Sequence, residues 1–186
     1  KFRKIWIGAR DDIFYPIPKP ESDKFLLIFH GSFIPLQGIQ YILKAAKICE
    51  TSGINFLIIG DGQEKKKMLN LADELDLKNV EFFGFMSPEW IRERIAQSDI
   101  CLGIFGDTQK TQRVIPNKVY ECLAMQKPVI TADTPAVREL FNEEDLMLVQ
   151  VADPESLADG IVRLKKDPVL MNKIAVNGYN KFKNNA

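Results

Sequence analysis

Short apolar segments alternate with helical patterns from Phe25 to the end of the chain, and this alternation limits the possible folds more than any other feature. The apolar segments are too short for buried helices and have the length of strands. They occupy 25–33, including an exit loop, and 55–60, 80–85, 99–105, 128–131 and 146–151. Strands separated by helices predict an α/β fold, a Rossmann-like open parallel sheet with helices on both faces.

The composition excludes several classes of partner. Lys+Arg and Asp+Glu number 25 each, so no global charge attracts nucleic acid or an anionic membrane. No apolar run reaches the roughly 18 residues of a membrane span, and the start does not read as a signal peptide. The three cysteines, Cys49, Cys101 and Cys122, lack metal-ligand spacing and are predicted to be buried, reduced thiols. A cytoplasmic protein is therefore expected, peripheral at the inner face of the membrane at most when full-length.

The first two dozen residues differ from the rest of the chain. They are aromatic and proline-containing and show little periodicity. The segment 1–23 is predicted to be a connector from an upstream domain, with apolar residues that need another surface to cover them. The folded domain is predicted to span 24–186.

The stretch RVIPNKVYECLAMQKP at 113–128 carries the clearest candidate site. Asn117 is a good N-cap, and the apolar spacing after it predicts a helix. The unpaired N–H groups of the first turn, with Lys118 and Arg113, would attract an anion. Glu121 lies about one turn further, where a carboxylate can accept hydrogen bonds from two vicinal ribose hydroxyls. The alternative is an ordinary surface helix with solvated charges.

Open α/β sheets bind ligands at the carboxyl ends of their strands, where strand order reverses. The loops at 30–38, 60–62, 84–88 and 105–117 leave such ends. Gly31, Ser32 and Gly38 offer close backbone approach to a phosphate, although ordinary turns also use glycine. Phe85 and Met86 are candidates for a wall against a nucleotide base, with core packing as the alternative.

The order and spacing of five segments resemble the carboxyl-terminal domain of group 1 (family 4) glycosyltransferases. The segments are IWIGARDDIFYP, FHGSFIPLQGIQYIL, NFLIIGDGQEKKKM, VEFFGFMSPEW and IPNKVYECLAMQKPVIT. They resemble, in turn, the interdomain segment, the first-strand loop and helix, the second strand with its Gly-x-Gly exit, the base-side loop, and the donor-binding helix with its following strand. The resemblance covers nearly the whole chain and implies half of a GT-B fold, which pairs two Rossmann-like domains.

The resemblance implies an enzyme that transfers a sugar from a nucleotide-diphosphate-sugar to an acceptor hydroxyl, with retention and without a metal or other cofactor. Glycan or cell-envelope polysaccharide synthesis is the expected setting. The acceptor is a glycan, a lipid-linked or a small-molecule hydroxyl, held mainly by an upstream domain absent from this chain, so the chain alone is expected to be inactive. Arg113 and Lys118 would stabilise the leaving diphosphate, and Asp107 and His30 are candidates for contact with the donor sugar. As alternatives, Asp107 forms a turn and His30 is structural.

The chain departs from the family pattern at three positions. Members usually carry two glutamates separated by seven residues; Glu121 fits the second, but Arg113 stands at the first. Many members also carry an arginine and a lysine, directed at the donor pyrophosphate, where this chain has Ser32 and Gln37. Arg113 and Lys118 are expected to replace those two cations.

Two other functions stay open at this point. A sugar-nucleotide epimerase shares the two-domain fold, but it would need acid/base groups that this half lacks. A non-catalytic nucleotide-binding module is compatible with the substitutions at 32, 37 and 113.

Overall fold

The computed structural model describes residues 8–185, so the first seven residues of the predicted connector lie outside the described part. The strands are β1 Phe25–His30, β2 Ile54–Ile59, β3 Val80–Phe83, β4 Ile100–Leu102, β5 Val129–Ala132 and β6 Met147–Val149. The helices are α1 Ile39–Ile48, α2 Lys65–Glu74, α3 Pro88–Gln97, α4 Asn117–Ala124, α5 Pro135–Arg138, α6 Pro154–Lys166 and α7 Pro168–Asn185.

The strands form one parallel sheet in the order β3-β2-β1-β4-β5-β6. The strand order reverses between β1 and β4, which are neighbours although two strands separate them in sequence. All carboxyl ends therefore share one edge, and the reversal opens a crevice there. The predicted open parallel sheet is confirmed.

Both faces of the sheet are covered. In β1, Leu27 and Phe29 pack into one core with α1, α2 and α6, whereas Ile28 packs into a second core with α3, α4 and α5. Because successive strand residues point to opposite faces, a strand buried on both sides is apolar throughout. This pattern confirms the predicted helices on both faces.

The described part of the connector packs against the domain. The amides of Ile13 and Phe14 both donate to the Arg10 carbonyl, and these hydrogen bonds form a turn. The side chains of Ile13 and Phe14 are buried in the second core. The turn therefore brings these two apolar connector residues onto the core of this domain, which covers them.

Two further expectations concern the rest of the chain. Cys49, Cys101 and Cys122 are buried and free, as predicted. Within residues 8–185, no helix has the length and apolarity to cross a bilayer.

The fourth strand is shorter than its apolar sequence predicts. The sequence indicates a strand over 99–105, but β4 ends at Leu102. The amide of Gly103 still donates to the carbonyl of Ile130 in β5. The amide of Phe105 instead donates to the carbonyl of Gln37. The chain leaves the sheet because it packs against the loop that follows β1.

A Schellman motif ends α4. The amide of Gln126 donates to the Leu123 carbonyl and that of Lys127 to the Cys122 carbonyl, and Gln126 has a φ of 54°. Such a left-handed residue after a helix favours glycine, because a Cβ is strained there.

We predict that Gln126→Gly stabilises the fold by about 0.5–1 kcal/mol, because it removes this strain. Urea denaturation gives the free energy of unfolding. As the control, Lys66→Gly in the exposed face of α2 should cost about 1 kcal/mol. Equal destabilisation by both substitutions would contradict the prediction.

Candidate functional site

The crevice is closed at its base by backbone contact between the loops that follow β1 and β4. Gly38 has a φ of 67°, and a Cβ built on it would lie 2.4 Å from the Gly106 nitrogen. Only glycine fits there. The glycine at 38 is explained by this contact between loops, and its approach to a phosphate stays a prediction.

The start of α4 differs by one residue from the predicted start. Pro116, with extended φ and ψ of −74° and 151°, is the N-cap, and no side chain caps the helix. The prediction of Asn117 as N-cap is wrong: Asn117 is the first helical residue. The backbone N–H groups of Asn117 and Lys118 have no acceptor among the described residues, so they remain available to an anion.

The side chain of Lys118 is buried rather than solvated. Only 5% of the residue is exposed. Its Nζ donates to Oε1 of Gln37 and lies 3.5 Å from the centroid of the Phe29 ring. Burial lowers the pKa of Lys118 well below its usual value, against the weaker opposing effects of Cys122 and Glu121. The surface-helix alternative does not fit this lysine.

Glu121 and His30 form a second contact beside Lys118. Oε2 of Glu121 lies 3.6 Å from Nε2 of His30, and that nitrogen is 3.9 Å from Sγ of Cys122. Burial raises the pKa of Glu121, while Lys118 acts in the opposite direction. The carboxylate side chain keeps 23% exposure, so it can still meet a ligand.

The imidazole of His30 lies inside the domain. Burial, and to a lesser degree the charge of Lys118, lowers the pKa of His30 to about 3, so the ring is neutral at neutral pH. The structure does not support direct contact of His30 with a donor sugar, because the residue is almost fully covered and faces Glu121.

The other candidate residues lie at the surface of the crevice loops. Arg113 is exposed at the end of the 3-10 turn Thr111–Arg113, and Ser32 is exposed after β1. Oδ2 of Asp107 accepts a hydrogen bond of 3.4 Å from the Tyr41 hydroxyl. The structure leaves their predicted ligand contacts as predictions.

Phe85 and Met86 lie exposed at the carboxyl end of β3. The exposed fractions are 74% and 36%, so core packing does not explain Phe85. Gly31 lies at the end of β1, directly over the Lys118 ammonium, since a Cβ on Gly31 would be 2.8 Å from Nζ.

Sequence reasoning missed the partner of Lys118. Gln37 was noted only as a departure from a family pattern, yet its side chain is buried and bonded to a residue 81 positions away. Tyr41, the partner of Asp107, had no sequence signal. The position of Gln37 in the loop after a predicted strand was the one sequence feature that placed it near the site.

Comparison with known families decides the class of the chain. A family model described as "Glycosyl transferases group 1" matches residues 11–181. The chain belongs to this family. The match to the group 1 glycosyl transferase model covers nearly the whole chain.

Relatives and solved structures agree with this assignment. The chain is 27% identical to the lipopolysaccharide core biosynthesis glycosyltransferase LpsD of Rhizobium meliloti over 91% of its own length and 46% of LpsD. It thus spans about half the length of the curated relatives that it matches.

Two solved structures show the same fold. One is the C-terminal domain of the group 1 family protein LpcC from Francisella tularensis, with a TM-score of 0.76, 22% identity, and coverage of 95% of this chain and 97% of that one. The other is HepE from Anabaena in complex with UDP-glucose, with a TM-score of 0.82, 18% identity, and coverage of 97% and 52%.

The neutral, buried His30 predicts a pH dependence of stability. Below pH 6.5 the unfolded chain takes up a proton at this histidine, whereas the folded chain does not until about pH 3. The contribution of His30 to stability is therefore fully present above pH 6.5 and is lost as the pH drops towards 3. Between pH 7.5 and 5 the loss from this group should be about 2 kcal/mol.

We predict that His30→Gln removes this part of the pH dependence, whatever its effect on stability at neutral pH. Urea denaturation of both proteins at several pH values measures it. Parallel curves for the two proteins would show that His30 is not the titrating group.

Proposed function

We propose that this chain is the donor-binding half of a glycosyltransferase that moves a sugar from a nucleotide-diphosphate-sugar to an acceptor hydroxyl in glycan or cell-envelope polysaccharide synthesis. One observation carries the proposal: α4 begins with unpaired N–H groups and brings Lys118 to Gly31 and Glu121 to His30, at the end of β1, where the strand order reverses. Membership of the family and the fold shared with HepE, solved with UDP-glucose, support it.

Each group has a role in the proposed mechanism. Cleavage of the bond between sugar and phosphate builds negative charge on the leaving diphosphate. The N–H groups of Asn117 and Lys118, the Lys118 ammonium and the Arg113 guanidinium would stabilise this charge more in the transition state than in the ground state.

Glu121 would accept hydrogen bonds from the ribose hydroxyls, beside the phosphates. The raised pKa of Glu121 indicates a carboxylate that has lost water on burial and gains from new donors. Phe85 would cover one side of the base, and Asp107 would face the donor sugar. Retention at the anomeric carbon and independence of metal ions belong to this proposal.

The acceptor and most acid/base groups would come from the upstream half of the full-length protein. The chain spans 46% of LpsD, which leaves room for a second domain of similar size in a protein of that length. We therefore propose that the chain alone binds the donor nucleotide and does not turn it over.

We predict that calorimetric titration of the chain with UDP, GDP and ADP finds one preferred nucleotide, and that Glu121→Gln weakens its binding by about 1–3 kcal/mol through loss of charged hydrogen bonds to ribose. Glu74→Gln in α2 is the matched control and should bind as the unsubstituted chain does. Failure of all three nucleotides to bind at millimolar concentration would contradict the proposed site.

A second assay separates the proposed reaction from its alternatives. The full-length protein should release free nucleotide diphosphate only when an acceptor is present. Interconversion of the nucleotide-sugar without release would indicate an epimerase. Binding without either reaction would indicate a nucleotide-binding module.

A further inference from the structure

A groove lies outside the crevice, on the face of the sheet that α3 covers in part. Its volume is about 360 Å³, within the range of roughly 300–1,000 Å³ for small-molecule sites. The floor contains Leu26 of β1, Asn55 of β2, and Glu81 and Phe83 of β3, and α3 forms the wall. Lys24 at the rim precedes β1, so the groove begins at the amino edge of the sheet, opposite to the crevice.

Asn55 interrupts an otherwise apolar strand on the floor of this groove. Strand β2 reads INFLII, and a parallel strand that is covered on both faces is normally apolar throughout. Because successive residues alternate between faces, Asn55 faces the same side of the sheet as Leu57, which lies in the second core. The Asn55 side chain is half-buried and makes no hydrogen bond within residues 8–185. Asparagine is also unfavourable in strands, so the packing of the sheet does not account for it.

Arg94 is held at the wall of the groove by neutral neighbours. Its Nη1 donates to Oε1 of Gln97 at 2.7 Å, and its guanidinium lies 4.6 Å from the centroid of the Trp90 ring. The Trp90 ring in turn packs against Phe83 on the floor, with centroids 5.2 Å apart. Most N–H donors of Arg94 thus stay free, and within the described part of the chain no carboxylate pairs with it. A guanidinium that is already oriented loses little freedom when it binds a ligand.

The groove offers both signs of charge. Among residues 8–185, Lys24 and Arg94 have no carboxylate partner and Glu81 has no cationic one, whereas Lys78 is already paired with Asp76. A simple anion would be attracted to the two cations, but it would leave the Glu81 carboxylate without a donor. Saccharide hydroxyls both donate and accept, so they can pair with both kinds of group. The excess of cations favours a saccharide that also carries a carboxylate.

We propose that this groove is a second binding site of the domain, for an acidic saccharide, separate from the donor crevice. The hydroxyls of the ligand would pair with Asn55 and Glu81, and its carboxylate with Arg94. The apolar face of a sugar ring would lie against Leu26 and Phe83. The choice of a saccharide rests in part on the proposed function, since an enzyme of glycan synthesis meets saccharides as acceptor and product. The groove would then hold a part of the glycan away from its reacting end.

Nuclear magnetic resonance titration of the isotope-labelled chain locates the binding. The probes are digalacturonate and galactobiose, which is the same disaccharide without carboxylates. Digalacturonate should shift the backbone amide signals of Asn55, Glu81 and Gln97 until they saturate, and should leave that of Lys118 in the crevice unchanged. Galactobiose should shift the same signals with about tenfold weaker affinity, because it lacks the charge that meets Arg94. Shifts confined to the crevice, or no saturable shift with digalacturonate at millimolar concentration, would overturn the proposal.

Two substitutions test the roles of the side chains. Asn55→Val should leave the melting temperature unchanged or raise it, because valine is favoured in strands, and should weaken both disaccharides by about tenfold or more. Arg94→Gln should weaken digalacturonate by about tenfold and galactobiose by less than about twofold. Arg163→Gln, exposed on α6, makes the same change of charge and should alter neither. Undiminished binding of digalacturonate by Asn55→Val would show that the groove is not the site.

Two controls separate this inference from its alternatives. Dilution of the chain without saccharide should leave the signals of Asn55 and Glu81 unchanged; a shift with concentration would mean that a second copy occupies the groove, and the proposal would be wrong. Asn55→Val should bind nucleotides as the unsubstituted chain does. If the chain binds a nucleotide but no saccharide, only this inference fails. If it binds digalacturonate in the groove but no nucleotide, the proposed function fails instead.

Discussion

Backbone packing between the loops that follow β1 and β4 is the contact on which the crevice depends. A Cβ on Gly106 would lie 2.3 Å from the Pro35 carbonyl oxygen, and the Phe105 amide donates to the Gln37 carbonyl at 3.0 Å. Side chains at these glycines would force the loops apart. Because the loops touch, Gln37 is held beside the end of β1, where Lys118 approaches from α4.

The burial of Lys118 has a cost that the fold alone does not explain. Removing an ammonium from water is unfavourable unless it is paired, and the hydrogen-bonding side chain here is a neutral amide. Contact with the Phe29 ring recovers part of that cost. This burial is also what lowers the pKa of Lys118 well below its usual value. A bound anion would favour the ammonium form that burial disfavours.

The sequence predicts the fold well because the inner strands of the sheet are largely buried on both faces and hence mainly apolar. It predicts the site less well. A lysine in the first turn of a helix is usually solvated, and its burial depends on Gln37, a residue 81 positions away. His30 shows the same limit, since its position at the end of a strand does not indicate whether the imidazole ring is buried or exposed. The turn that buries Ile13 and Phe14 has no periodic signal either.

The departures from the family pattern are not equivalent in the structure. At position 37, where the family pattern has a lysine, the ammonium of Lys118 on α4 donates a hydrogen bond to the glutamine side chain. Ser32 and Arg113 are exposed and have no such compensating contact among the described residues. The buried contact between Lys118 and Gln37 thus sets position 37 apart from the other two departures.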